Sequence, residues 1–322
     1  MCCFAVYQKL YYLLTMKYAF LDLGTNTFNL LVVELTEKGI RKLHVGRIPS
    51  RLGKGGMKEK MITPEAFDRG IQAIKEHQST ALQYGEVKFH AFATSMIRDA
   101  GNGPEFVKQV LLETGITINV VNGEREAELI FKGVCQAFRS EQPFLIMDIG
   151  GGSTEFIIAQ NKELLWKKSY QLGVTRLYEQ FPHSDPMNSA EKETTEKHLF
   201  EVMTELFEQM KKYNVQTLVG SAGSFESYAE IIHRRSFGKG IDLSIPAHHI
   251  PGEEFKSLLQ EVLKSDHAQR TRLEGLIEFR RDLIVMASLL IDTIFRSHPF
   301  NEVYFSVYSL KEGIMAELIG TE

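Results

Sequence analysis

The sequence has 322 residues, of which 43% are hydrophobic and 24% charged, with a formal net charge of −4. That length exceeds one ordinary core and suits two domains, and the composition is globular. The slight acidity argues against a protein that coats nucleic acid, and three cysteines (Cys2, Cys3, Cys135) without metal-ligand spacing fit a reducing cytoplasm.

The opening "MCCFAVYQKLYYLLT" is apolar, too short to span a membrane, and lacks a basic segment before its apolar part. Met16 is the expected native start, with residues 1–15 from an upstream start choice; a short ordered extension packed on the domain is the alternative. "KYAFLDLG", "NLLVVEL" and "IRKLHVGR" then read as three strands. Thr63 and Pro64 open a helix as N-cap and first helical residue, with Phe67, Ile71 and Ile74 on its core face and Gly85 near its end. "VKFHAFA" is a strand, "GPEFVKQVLLETG" a helix ending near Gly115, and "ITINVV" a strand. A helix starts near Asn122, with Ala127, Ile130, Phe131 and Val134 on its apolar side. "FLIMDIG", "TEFIIA" and "LLWKKSYQ" form a second strand set. One long helix is expected from Ser189 to Tyr213, striped by Leu199, Val202, Leu206 and Met210. The strand "VQTLVGSAGS", a helical region from Gly252 to Ser297, the strand "EVYFSV" and the helix "KEGIMAELI" complete the chain. Strands alternate with helices, so the class is α/β.

An internal repeat organises this list. "FLDLGTNTFNLLVVE" aligns without gaps to "IMDIGGGSTEFIIAQ", pairing Asp22 with Asp148, Gly24 with Gly150 and Thr27 with Ser153. Two related lobes are expected to face each other across a central cleft, each opening with strand–turn–strand.

Glycine-rich turns after strands commonly hold phosphate, but a P-loop needs a lysine and a following helix. Both turns here lack the lysine and enter a strand, which also excludes a dinucleotide fingerprint. What remains is a turn whose N–H groups and hydroxyls can meet a phosphate, beside an aspartate suited to hydrated Mg²⁺. An ordinary glycine-rich hairpin explains one such copy as well; two gapless copies make that reading weaker.

The ordered motifs "DLGTNTFNLLV" at Asp22, "ATSMIRDAGN" at Ala93, "NGEREAELIFKGV" at Asn122, "DIGGGSTEF" at Asp148, "LGVTRL" at Leu172, "GSAGS" at Gly220 and "LKEGIMAEL" at Leu310 carry a resemblance. From Met16 onward the chain resembles the exopolyphosphatase/guanosine pentaphosphate phosphatase (Ppx/GppA) family of the actin-like ATPase superfamily. The resemblance implies two actin-like (ribonuclease H-like) lobes and Mg²⁺-dependent hydrolysis of a terminal phosphoanhydride. It places the lobes at 16–124 and 125–308, with a helix at about 309–322 returning to the first.

It also implies roles. Glu126 becomes the catalytic carboxylate, while Glu124 and Glu128 read as a solvated helix face. Arg98 becomes a phosphate clamp, with an ion pair to Asp99 as the plainer alternative. Thr94 and Ser95 offer hydroxyls. Asp148 and Glu155 hold the metal, with Asp22 acting from the facing lobe. Gly24, Thr25, Asn26 and Thr27 form one phosphate turn; Gly150, Gly151, Gly152, Ser153 and Thr154 form the other. "GSAGS" either contacts a ligand or packs strand on helix, Arg176 either reaches the cleft or supports local structure, and Lys311 reads as structural. The basic run Arg41–Gly56 could guide a polyanion.

Inorganic polyphosphate, particularly short chains because extra C-terminal helical domains are missing, and guanosine pentaphosphate are the competing substrates. A non-hydrolytic actin-like regulator and a sugar kinase are the readings of another class. A cytoplasmic location, a possible homodimer, no nucleic acid and no membrane complete the expectations.

Overall fold

A computed structural model describes residues 16–320, so the expectation for residues 1–15 lies outside the described residues. The chain divides between Asn122 and Gly123 into two compact units, two residues earlier than the expected boundary.

The first unit carries β1 (Lys17–Leu23), β2 (Phe28–Thr36), β3 (Gly39–Ile48), α1 (Pro64–Leu82), β4 (Lys88–Ala93), α2 (Ser95–Asp99), α3 (Gly103–Thr114) and β5 (Ile118–Val120). Its sheet runs β3-β2-β1-β4-β5. α1 begins as its cap predicts, because Thr63 accepts a bond from the Ala66 N–H and Pro64 has no N–H to satisfy. Gly115 ends α3 in the left-handed conformation, φ 71°. Alternate residues Ala19, Leu21 and Leu23 of β1 enter one core with Ile71, Ile74 and Phe106 of the helices.

The second unit opens with α4 (Gly123–Ala137), β6 (Phe144–Ile149), β7 (Thr154–Gln160), β8 (Glu163–Tyr170), α5 (Val174–Gln180), α6 (Ser189–Val202) and α7 (Thr204–Lys212). It continues with β9 (Thr217–Ser221), α8 (Ala222–Phe237), β10 (Ala247–Ile250), α9 (Gly252–Lys264), α10 (His267–Thr271), β11 (Glu302–Ser306) and α12 (Leu310–Ile319), with α11 (Ile284–Ser297) before β11. Its sheet order is β10-β11-β9-β6-β7-β8.

Read from β8 inward, the second sheet repeats the first. β1 pairs antiparallel with β2 and parallel with β4; β6 pairs antiparallel with β7 and parallel with β9. Even the irregularities coincide: β2–β3 slips between Val32 and Val33, and β7–β8 between Ile158 and Ala159, aligned positions of the repeat. The edge strand β10 was not legible in the sequence, where it is four residues long and half exposed.

Two helical expectations change. The single helix expected over Ser189–Tyr213 is two, broken at Met203 (φ −93°, ψ 11°). The Thr204 hydroxyl donates to the carbonyls of Phe200 and Glu201, competing with the helical ladder there. The last helix, expected to return to the first lobe, is grouped with the second unit, where α12 lies along α4. The two backbones nearly touch: a Cβ on Gly133 would sit 1.9 Å from the Ser309 carbonyl oxygen, and one on Gly313 1.7 Å from that of Leu129. Glu317 of α12 accepts ion pairs from Arg125 and Lys132 of α4. Among the described residues no helix is long and apolar enough to cross a membrane.

Candidate active site

Both turns are built to one plan. The Gly24 N–H donates to the Thr27 carbonyl at 3.0 Å, and the Gly150 N–H to that of Ser153 at 3.0 Å. In each, the two middle carbonyls are held from behind. Gly53 and Arg51 donate to Thr25 and Asn26; Thr175 and Arg176 donate backbone N–H groups to Gly151, and Arg176 Nε donates to Gly152. With the carbonyls turned away, N–H groups face the other side. Among the described residues none accepts from the N–H groups of Thr25 and Thr27, or of Gly151, Gly152 and Ser153. Buried N–H groups left this way suit an anion.

Gly173 makes the second turn possible. A Cβ there would lie 2.3 Å from both the Gly151 carbonyl carbon and the Gly152 nitrogen, so only glycine lets α5 approach. Sequence reasoning missed it because the contact spans two loops. Thr154 is fully buried and donates to the Leu172 carbonyl at 2.9 Å, tying the turn to this support. Through its Nε, Arg176 braces the turn.

Asp148 and Glu155 stand directly opposite across β6 and β7, so both side chains project from one face. They are 6% and 1% exposed. Two like charges buried side by side are costly unless a cation neutralises them. Burial pushes the Asp148 carboxyl up, and two hydroxyls with the charge of Lys311 oppose that shift. Ser221 and Ser309 each donate to Asp148 Oδ2 at 2.5 Å, while Ser169 donates to Glu155 Oε1 at 2.7 Å. Ser221 and Ser309 come from 73 and 161 positions away, whereas Ser169 faces Glu155 across β7 and β8. Lys311, read as structural, is paired with Glu312 and lends charge to Asp148.

The matching position in the first unit is different. Asp22 faces Asn29, whose amide donates to Asp22 Oδ2 at 2.9 Å. Asn29 occupies the aligned position of Glu155, so this turn holds one carboxylate, not two.

The start of α4 sorts its three acids. Glu124 is exposed near Lys167, and Glu128 is half-buried, its carboxyl held below the usual range by Lys167 and Arg125. Glu126 is 6% exposed. A solvated face therefore describes the outer two and not Glu126.

Arg98 in α2 donates from Nε to Asp99 and from a terminal nitrogen to the Val121 carbonyl, both at 3.1 Å. The ion pair weighed as its plainer role is present. Thr94 and Ser95 begin the same short helix and are buried, and Ser95 donates to Asp99 at 3.3 Å. "GSAGS" packs strand on helix: Gly220 underlies the Phe225 ring, where a Cβ would lie 1.9 Å from a ring carbon, and Ser221 donates to Asp148 within the protein. The next residue, Ala222, has φ 61°, a left-handed conformation that costs a non-glycine residue and marks this junction as constrained.

By residue, the second unit gathers Gly150–Thr154, Asp148 and Glu155 with three orienting serines, and carries Glu126. The first gathers Gly24–Thr27 with Asp22 and Asn29, and carries Thr94, Ser95 and Arg98. The paired carboxylates suit a hard divalent cation. Among the described residues no group of three or more His, Cys, Asp or Glu forms a metal cage, so water or substrate oxygens would have to complete its shell.

Known proteins agree with this architecture. A crystal structure of an exopolyphosphatase from Cytophaga hutchinsonii is 32% identical, with a TM-score of 0.91 over 95% of this chain and 99% of that one. A Haemophilus influenzae protein named "Putative exopolyphosphatase" is 24% identical over 93% of this chain and 90% of its own length. A guanosine-5'-triphosphate,3'-diphosphate pyrophosphatase from Pseudoalteromonas translucida is 25% identical over 94% of this chain, which spans 59% of that protein. The model of the Ppx/GppA phosphatase family matches residues 31–322. On this match and the 32% identity, the chain belongs to the Ppx/GppA phosphatase family.

Proposed function

We propose that this phosphoanhydride hydrolase releases terminal phosphate from inorganic polyphosphate with the help of Mg²⁺. The observation that carries the reading is the buried pair Asp148–Glu155 beside a turn whose N–H groups have no described acceptor. A phosphate is tolerable beside two carboxylates only with a cation between them. Asp148 and Glu155 would hold Mg²⁺, which neutralises charge on phosphate oxygens when bound. The N–H groups of Gly151, Gly152 and Ser153 donate to the terminal phosphate. Glu126 orients the attacking water and takes its proton, a role that its low exposure favours over those of its neighbours. In the first unit, the Gly24–Thr27 turn, Thr94, Ser95 and Arg98 are assigned to phosphate, while Asp22, whose Oδ2 accepts from Asn29, is not assigned to the cation.

Polyphosphate is preferred because the Cytophaga protein, at 32% identity and nearly full mutual coverage, carries that name. Arg41, Lys42 and Arg47 on the exposed positions of β3 add charge for a polyanion, although Arg41 is paired with Glu34, Arg47 donates to Asn29 and Lys42 has a partner of its own. Guanosine pentaphosphate is the second reading, supported by the Pseudoalteromonas relative. A cytoplasmic homodimer is the accompanying expectation.

The test is phosphate release with Mg²⁺ from short polyphosphate, long polyphosphate, guanosine pentaphosphate and ATP, side by side. Polyphosphate should be hydrolysed fastest. Turnover confined to ATP would overturn the assignment, and fastest release from guanosine pentaphosphate would select the second reading.

A further inference from the structure

Asp148 is held more completely than its role as a carboxylate requires. Two hydroxyls from distant parts of the chain converge on one of its oxygens: Ser221, at the end of β9, and Ser309, at the start of α12. Both donate to Oδ2 at 2.5 Å, which occupies the two lone pairs of that oxygen. No described side chain donates to Oδ1.

Ser309 is engaged at both ends. Its backbone N–H donates to the Glu312 carboxylate at 3.0 Å in a capping box on α12, while its hydroxyl donates to Asp148. The hydroxyl proton is therefore the part directed at Asp148. α12 in turn is fixed along α4 by the Gly133–Gly313 crossing and by Glu317 with Arg125 and Lys132. Glu126 lies in the first turn of that same α4. A run of contacts thus joins the carboxylate to the helix that carries Glu126.

We infer that Ser309 is a positioning residue: with Ser221 it saturates Asp148 Oδ2, so that Asp148 offers a divalent cation one oxygen, Oδ1, in one fixed orientation. This rests on the metal assignment proposed above. A one-oxygen contact suits Mg²⁺, which keeps waters and substrate oxygens in its shell, better than Ca²⁺, which readily takes both oxygens of a carboxylate. Loss of the Ser309 hydroxyl frees Oδ2 and lets the carboxylate rotate.

The test titrates Mn²⁺, a spectroscopic stand-in for Mg²⁺, into substrate-free full-length protein by electron paramagnetic resonance, beside thermal melting without metal. Glycine caps helices almost as well as serine, so Ser309→Gly removes the hydroxyl with little loss of the cap. It should weaken Mn²⁺ about tenfold, the usual cost of losing a partner of a metal ligand, with a near-normal melting temperature. Ser309→Thr keeps both cap and hydroxyl and should bind as the wild type does. Ser221→Ala should weaken Mn²⁺ similarly. Wild-type affinity in Ser309→Gly would overturn this inference alone. Failure of the wild type itself to bind Mn²⁺ would overturn the metal assignment and this inference with it.

Discussion

The two β-turns are the same piece of backbone carrying different chemistry. Each closes with a 3.0 Å bond between aligned residues, and each has its two middle carbonyls held from behind. Opposite the strand-end aspartate, however, the first unit has Asn29 and the second Glu155. An amide satisfies Asp22 directly with a hydrogen bond. A second carboxylate cannot do that for Asp148 and leaves a demand for a cation. The fold duplicates one turn, and on the function proposed above a single side-chain difference would assign the metal to one copy.

Substitutions that erase or exaggerate this difference test it. The largest effect is expected from Glu126→Gln, which keeps shape but removes the base: turnover should fall by about 10³-fold, within the range for general-base loss, with substrate binding retained. Unchanged turnover would remove Glu126 from its role. Gly173→Ala should come next, because its Cβ would drive into the Gly151–Gly152 peptide of the second turn alone. A loss of about 10²-fold in phosphate release from the still-folded protein, alongside a destabilisation of about 1–3 kcal/mol from the overpacked turn, would match the cost of misplacing one set of oxyanion donors.

Gly133→Ala addresses the helix crossing in place of the turn. Forcing a methyl against the Ser309 carbonyl should destabilise the second unit by about 3 kcal/mol, read from denaturant midpoints. The smallest effect concerns the first unit. His77 is buried, and burial lowers its pKa while its ring N–H donates to the Phe28 carbonyl at 2.9 Å. The unfolded chain takes up a proton at higher pH than the folded one. The stabilisation is therefore full above the ordinary histidine value of about 6.5 and is lost as pH falls through the folded value. His77→Gln should flatten the loss of thermal stability between neutral and mildly acidic pH; an unchanged slope would contradict this.

Local features were legible in the sequence. The repeat could be found because aspartate, glycine and hydroxyl recur at fixed short spacing, and the α/β alternation followed from strand and helix periodicity. The sheet orders confirm that repeat strand by strand. What escaped depends on contacts between distant residues. Ser309 and Asp148 are 161 positions apart, and nothing local marks that serine as more than a helix cap. Gly173 looks like any loop glycine until another backbone is placed against it. The break at Met203 escaped because the apolar stripe continues through it, and only the Thr204 hydroxyl signals the interruption.

The central claim is that the second turn holds the reacting phosphate and its cation while the first only binds. Its most direct test is the pair Glu155→Gln and Asn29→Ala, measured for kcat and KM of phosphate release from polyphosphate across a Mg²⁺ titration. Glu155→Gln should cut kcat by at least about 10²-fold and raise the Mg²⁺ requirement, whereas Asn29→Ala should change KM by a few-fold with kcat largely kept. Equal losses of kcat in the two variants, or a larger loss for Asn29→Ala, would contradict it.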